Sequence, residues 1–249
     1  MKQEAKQMKR ILFIPFMIIV MLLTACGSGE SASVPDVADS DKAAVQEKLN
    51  KTDSSKSDDD SGKDSDSTSS QGEASNGKKI LVAFFSRADE NYKVGNIEKG
   101  NTQIVAEYIA KEVGADSFHI ETVTPYPTGY DECCDVAKQE QKDKARPEIK
   151  GSVDNIGQYD IVFLGYPIWW GDMPMAVYTF LEKYDLSDKV IIPFCTHEGS
   201  GLSGTDKNIA GAVPKAQVLT ALDMRGATAQ EFNSDTQKTV REWLDKLGF

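Results

Sequence analysis

The chain has 249 residues, with 28 Lys and Arg against 39 Asp and Glu, a formal net charge of −11 and 40% hydrophobic residues. That length allows one or two domains, and the acidic balance argues against a phosphate-backbone partner, so nucleic acid is excluded as an expected ligand. The four cysteines show no Cys-x-x-Cys or zinc-type spacing, so no metal site is expected.

Lys2, Lys6, Lys9 and Arg10 precede an apolar run from Ile11 to Leu23, which closes on Thr24, Ala25, Cys26 and Gly27. A basic start, a short apolar stretch and small residues at its end describe a secretory signal. The run is marginal for a bilayer crossing, which takes about 20 apolar residues. An uncleaved anchor is the alternative. Leu23-Thr24-Ala25-Cys26 resembles the lipobox of bacterial lipoproteins. That resemblance implies loss of residues 1–25, a lipid on Cys26, and attachment to the extracytoplasmic face of the bacterial cell membrane.

From Gly27 to Gly77 the chain is mostly Ser, Asp, Lys and Gly, with no aromatic residue. Twelve acidic against five basic residues leave it at −7. Such a composition cannot bury enough apolar surface to offset the entropy of ordering. Residues 26–77 therefore read as a disordered tether, holding the rest roughly 40 Å from its anchor.

Residues 78–249 read as one domain of alternating strands and helices. Lys79 to Phe85 is the first strand, followed by a long polar loop and a helix opening at Asn101-Thr102. Ile104, Val105, Tyr108, Ile109 and Val113 share one face of that helix. A second strand fits Ser117 to Val123, and a polar helix fits Asp131 to Lys144. Ile161 to Leu164 is too short for a helix and reads as a strand buried on both faces. Asp172 is placed to cap the next helix, with Pro174 in its first turn. Val190 to Cys195 is the fourth strand, Asp206 to Ala212 a short helix and Gln217 to Met224 the fifth strand. In the final helix Val240, Trp243, Leu244 and Leu247 follow i, i+3, i+4, i+7 spacing. This alternation predicts an α/β fold with a parallel sheet covered on both faces. Such sheets bind ligands beyond the carboxyl ends of their strands.

Three loops at those ends carry chemistry. Ser86 and Gly100-Asn101-Thr102 bring hydroxyls and free backbone N–H groups to a helix start, which describes an anion site. Simple capping by Asn101 is the competing reading. No P-loop and no G-x-G-x-x-G pattern is present. Trp169 and Trp170 cannot easily point the same way on a turn, so at least one is expected to face a crevice. Cys195 to Gly201 combines small residues with polar donors, and its glycines permit close approach to a ligand. Together the loops describe a ligand with a phosphate at one end and a planar aromatic at the other.

On these residues the chain resembles the flavodoxin family over 79–248. Ser86 and Gly100-Asn101-Thr102 match the ends of the family's phosphate loop, with an insertion, Ala88 to Lys99, between them. Pro167-Ile168-Trp169-Trp170-Gly171 and Thr196-His197-Glu198-Gly199-Ser200-Gly201 resemble the two loops that flank the flavin. The resemblance implies a three-layer sandwich with a five-stranded sheet in the order 2-1-3-4-5. It also implies FMN as cofactor, with these residues and Arg87 around it.

An FMN protein's task is to tune the flavin. Asp172 and Glu198 are candidates for lowering its potential, and His197 is a candidate for bonding the ring or donating a proton. His119 reads as structural. Cys133, Cys134 and Cys195 are odd in number, so at least one thiol is free or pairs between molecules, and Cys195 lies where it could touch a flavin. The expected function is electron transfer, as a carrier for a redox partner protein or as an NAD(P)H- or quinone-type oxidoreductase with a small-molecule acceptor. A flavin-free lipoprotein, using the fold as a solute-binding or interaction module, is the alternative from another class.

Overall fold

The computed structural model describes residues 33–50 and 79–249. The expected signal segment 1–25, Cys26 and residues 27–32 and 51–77 of the expected tether lie outside the described residues, as does residue 78. In chain order the elements are α1 (Asp39–Asn50), β1 (Lys79–Phe84), β2 (Asp89–Asn91), β3 (Gly95–Ile97), α2 (Asn101–Val113), β4 (Asp116–His119), α3 (Tyr130–Asp143) and β5 (Tyr159–Pro167). They continue with α4 (Met175–Lys183), β6 (Val190–His197), α5 (Thr205–Ala212), β7 (Gln217–Val218), β8 (Leu222–Arg225), α6 (Gly226–Glu231) and α7 (Ser234–Leu247).

The main sheet is parallel throughout and runs β4-β1-β5-β6, with β7 and β8 both paired to β6. The expected order is thus present. Alternation along each strand divides the core between the two faces. Ile80, Val82, Phe84, Ile161 and Phe163 pack on one face with residues of α1, α2 and α7. Leu81, Ala83, Val162, Leu164 and Tyr166 pack on the other with residues of α4 and α5. Among the described residues no helix is long and apolar enough to cross a membrane.

The fifth strand is not continuous as expected. Leu219 N still donates to Ile191 O at 2.9 Å, but Thr220 N donates to Asp41 Oδ2 at 2.8 Å and Thr220 O accepts from the Trp243 indole at 3.4 Å. The backbone leaves the ladder there to bond α1 and α7, which splits the strand into β7 and β8.

That contact also corrects the tether. Residues 33–50 are seated on the domain: Ala44 and Val45 are buried, and Val34, Val37 and Leu49 pack against the same core. Gln46 Nε2 donates to Gly248 O at 2.9 Å, Lys246 Nζ donates to Pro35 O at 3.0 Å, and Lys48 Nζ reaches Asp188 O. Average composition concealed a few apolar residues at helical spacing. The helix α1 is polar overall, and tertiary packing rather than propensity accounts for it.

The segment 88–99 holds the antiparallel hairpin of β2 and β3, pairing Asp89 with Ile97 and Asn91 with Gly95. The sequence reading had only a polar loop here.

Candidate functional site

The sheet order reverses between β1 and β5, and the loops after β1, β5 and β6 converge above that point. A cleft of about 640 Å³ opens there. Among the expected residues, Arg87, Asn101, Pro167, Ile168, Trp169, Trp170, Thr196, His197 and Glu198 line it. Ser86, Gly100, Thr102, Gly171, Gly199, Ser200 and Gly201 are not in its wall, and several of them have structural tasks instead.

Ser86 Oγ accepts from Gln103 N at 3.0 Å and so caps α2 from the preceding loop, in place of the competing Asn101 cap. Asn101 instead accepts from Gln230 Nε2 at 2.8 Å through its side-chain oxygen. Gly100 is buried under Ser86 and Arg87. A Cβ on it would fall 2.2 Å from Ser86 Oγ and 2.5 Å from Arg87 O, so only glycine fits. Thr102 and Thr196 are buried and share a hydroxyl–hydroxyl bond of 2.8 Å, tying the β1 loop to the end of β6. His119 stacks on Phe84 at 4.7 Å, and its Nε2 lies 3.1 Å from Ser86 O, a support for the same loop. The first turn of α2 carries no acidic side chain. Its dipole therefore faces the cleft without an internal carboxylate to answer it.

After β5 the chain makes a tight turn. Trp169 N donates to Asp172 O at 2.7 Å and Asp172 N to Trp169 O at 3.1 Å. The two central residues, Trp170 and Gly171, have φ of 52° and 76°, as a type I′ turn requires. The tryptophans part at this turn. Trp169 goes inward, edge-on to Phe85 at 5.2 Å and Tyr126 at 5.1 Å. Trp170 stays 52% exposed, donates from its indole to Cys134 O at 3.0 Å, and has Lys138 Nζ 4.8 Å from its ring centre. Asp172 does not cap α4, whose first residue follows Pro174. Its carboxylate accepts from Met173 N, the Tyr178 hydroxyl and Asn208 Nδ2, so it locks the turn against α4 and α5 rather than facing the cleft.

At the end of β6, His197 Nδ1 accepts from Gly199 N at 2.9 Å, which places the ring proton on Nε2, 2.9 Å from Asp223 Oδ2. That bond holds the Asp223 carboxyl below its usual range. Both ring nitrogens are engaged within the protein, so in this arrangement neither is left over for the hydrogen bond to the ring or the proton donation that the sequence suggested, while the ring itself stays in the cleft wall. Glu198 Oε1 accepts from Ala227 N at 2.9 Å. Cys195 is buried and outside the cleft wall, and burial pushes its thiol well up.

The remaining wall comes from the hairpin and α3: Asn91, Tyr92, Tyr130, Asp131, Cys133, Cys134, Asp135 and Ala137, all missed from sequence. Arg87 staples it in place. Its guanidinium donates to Glu90 O at 2.6 Å, Pro127 O at 2.7 and 3.2 Å, and Thr128 O at 2.5 Å. Glu90 N donates to Thr128 O, and Glu90 Oε2 accepts from Tyr130 N. Tyr92 and Tyr130 then stack, centres 5.9 Å apart and 25° from parallel. Burial pushes the Cys133 thiol up to about 11. The Tyr130 hydroxyl is pushed up to about 12, first by burial and then by its bond to the Cys134 thiol. The three cysteines of the domain are free thiols.

A parallel α/β sheet with a cleft at its reversal point, a helix start on one side and aromatic turns on the other, is the arrangement in which open α/β sheets take their ligands. The sequence profile of the flavodoxin family matches residues 79–247, and the chain belongs to that family. A solved structure assigned as a flavoprotein from Bacteroides eggerthii DSM 20697 is 31% identical, covering 69% of this chain and 98% of that one, with a TM-score of 0.55. A second, assigned likewise from Bacteroides uniformis ATCC 8492, is 24% identical, covering 68% and 99%, with a TM-score of 0.55. A comparison with curated proteins gave no match.

Proposed function

We propose that this chain binds FMN in the cleft and serves in electron transfer. The observation that carries this is the built β1–α2 loop: Gly100 pressed under Ser86 and Arg87, and an α2 start with no acidic residue in its first turn. Backbone N–H groups at that start, with Asn101 beside them, would hold the phosphate. Ile168, Trp169 and Trp170 on one side and Thr196, His197 and Glu198 on the other would border the flavin. FMN, when bound, supplies one- and two-electron redox chemistry. The protein's own residues hold the wall shape and exclude water. With both nitrogens committed, His197 acts by fixing the β6 loop.

The spectrum of the purified full chain tests this. Flavin absorbance near 450 nm, or restoration of it by added FMN at one per chain, is expected. A chain that takes up no FMN returns the reading to a flavin-free module. Stopped-flow mixing of the loaded chain with NADPH separates an NAD(P)H-linked oxidoreductase, which bleaches the flavin, from a carrier reduced by a partner protein.

We further propose export and lipid attachment through Cys26, supported by the basic–apolar–small pattern that ends at it. Mass spectrometry of the membrane-extracted protein tests this: an unmodified Cys26, or a retained residue 1, would refute it.

A further inference from the structure

The inserted hairpin parts the two ends of the β1–α2 loop along the chain, yet packing returns them to contact where Gly100 lies under Ser86. Chain continuity does not hold such a loop, so its ends depend on side chains from other elements. At the Ser86 end the holder is His119, at the close of β4, through Ser86 O. At the Gly100 end it is Gln230 on α6. Its Nε2 donates to Lys99 O at 2.8 Å and to Asn101 Oδ1 at 2.8 Å.

These two bonds decide what Asn101 can offer. A carbonyl oxygen only accepts, so the Gln230 atom facing Lys99 O is necessarily the amide nitrogen. That nitrogen in turn requires an oxygen from Asn101, which sets the otherwise ambiguous flip of the carboxamide. With Oδ1 committed, the side chain has Nδ2 left for a ligand, and Nδ2 only donates. Asn101 lines the cleft as the first residue of α2, whose first turn bears no carboxylate. The start of α6 closes on the same amide. A Cβ on Gly226 would fall 2.2 Å from Asn101 Nδ2 and 2.8 Å from Glu198 Oε1, so that contact takes a glycine. Glu198 Oε1 itself accepts from Ala227 N at 2.9 Å.

We propose that Gln230 is a positioning residue for phosphate recognition. By taking Asn101 Oδ1 it turns the carboxamide into a pure donor at the α2 start. The inference rests on the FMN reading above and names, within it, a residue that separates FMN from riboflavin, the same ring system without the phosphate. A donor aimed at a phosphate makes a charge-assisted bond, whereas the amide oxygen in its place would repel. The flavin ring is bordered by the loops after β5 and β6, so Gln230 acts on the phosphate end of the ligand and not on the ring end.

The test titrates the full chain, stripped of flavin, with FMN and with riboflavin, following flavin fluorescence. The unaltered chain is expected to prefer FMN. Gln230→Met keeps the length of the side chain, adds no charge and removes the donor. It is expected to reduce that preference about tenfold, as for one bond to a charged group, and to leave riboflavin affinity unchanged. In an Asn101→Ala background the same substitution is expected to leave the preference unchanged, because Gln230 acts through Asn101. Riboflavin binding in each variant reports an intact cleft. An unaltered chain without preference, an unchanged preference in Gln230→Met, equal losses for both flavins, or the same loss in the Asn101→Ala background overturns the proposal and leaves flavin binding standing. A chain that takes up neither flavin overturns both.

Discussion

The two walls of the cleft are held by different means. The strand-end wall grows from β1, β5 and β6, and its residues are fixed by the sheet ladder and by buried pairs such as Thr102 with Thr196. The inserted wall has no strand in the main sheet. It is fixed by one guanidinium on three carbonyls, by Glu90 bridging to Thr128 and Tyr130, and by a surface ring stack. One wall is part of the core and the other is fastened to it. Damage to the first should therefore cost global stability, and damage to the second should cost local order.

The paired tryptophans give the largest expected contrast. Trp169→Ala removes a ring packed on Phe85 and Tyr126 and is expected to lower unfolding free energy by about 3 kcal/mol. Trp170→Ala, at the exposed position, is expected to cost under about 1 kcal/mol. Urea unfolding of both variants checks this, and equal losses would mean that the two rings do not part at the turn into a packed and an exposed one. Gly100→Ala comes next. Backbone at 2.5 Å must move, for about 2 kcal/mol and a loss of FMN affinity on the order of a hundredfold. An FMN titration that matches the parent chain would show that the loop is not the phosphate site.

Arg87→Ala is expected to cost about 2 kcal/mol, confined to the inserted wall. Hydrogen exchange should quicken at residues 89–97 and not in α2. Uniform quickening would show that the staple serves the whole domain. The smallest effect belongs to Asp223. Its carboxyl is depressed in the folded chain, so the stability it adds is full above the ordinary value of 3.8 and is lost as pH falls through the lower folded value. Asp223→Asn is expected to cost roughly 0.5 kcal/mol near pH 6, after solvent screening is allowed for, and progressively less as pH falls through the lowered folded value. Melting temperatures of the two chains should converge in acid.

The strand-end wall was legible in sequence because its signals are local. Gly100-Asn101-Thr102 opens a helix, Trp169-Trp170-Gly171 sits on a turn after an apolar run, and Thr196 to Gly201 follows a strand. What those residues do was less legible. Asp172 and His197 look reactive in a string of letters, but their bonds run to Tyr178, Asn208 and Asp223, which are distant in sequence or without motif. The inserted wall carried no readable signal. Its hairpin strands are three residues each, and α3 shows acids and thiols with no spacing that marks a site. Its position depends on Arg87 reaching carbonyls forty residues away. Helix α1 was hidden by an average: composition over fifty residues diluted Val34, Val37, Ala44, Val45 and Leu49.

The docking of α1 changes the arithmetic of attachment. With the domain beginning at residue 78, the proposed lipid on Cys26 would leave a leash of about fifty residues. Val34 already packs on the core, so only seven residues, 27–33, separate the two. Fully extended, they reach at most about 25 Å. A lipid-anchored form of this protein would work within one domain diameter of the bilayer, where acceptors dissolved in the membrane surface are within reach. The acidic stretch from 51 to 78 would then span no distance to the membrane at all, since both of its ends are fixed to the same domain.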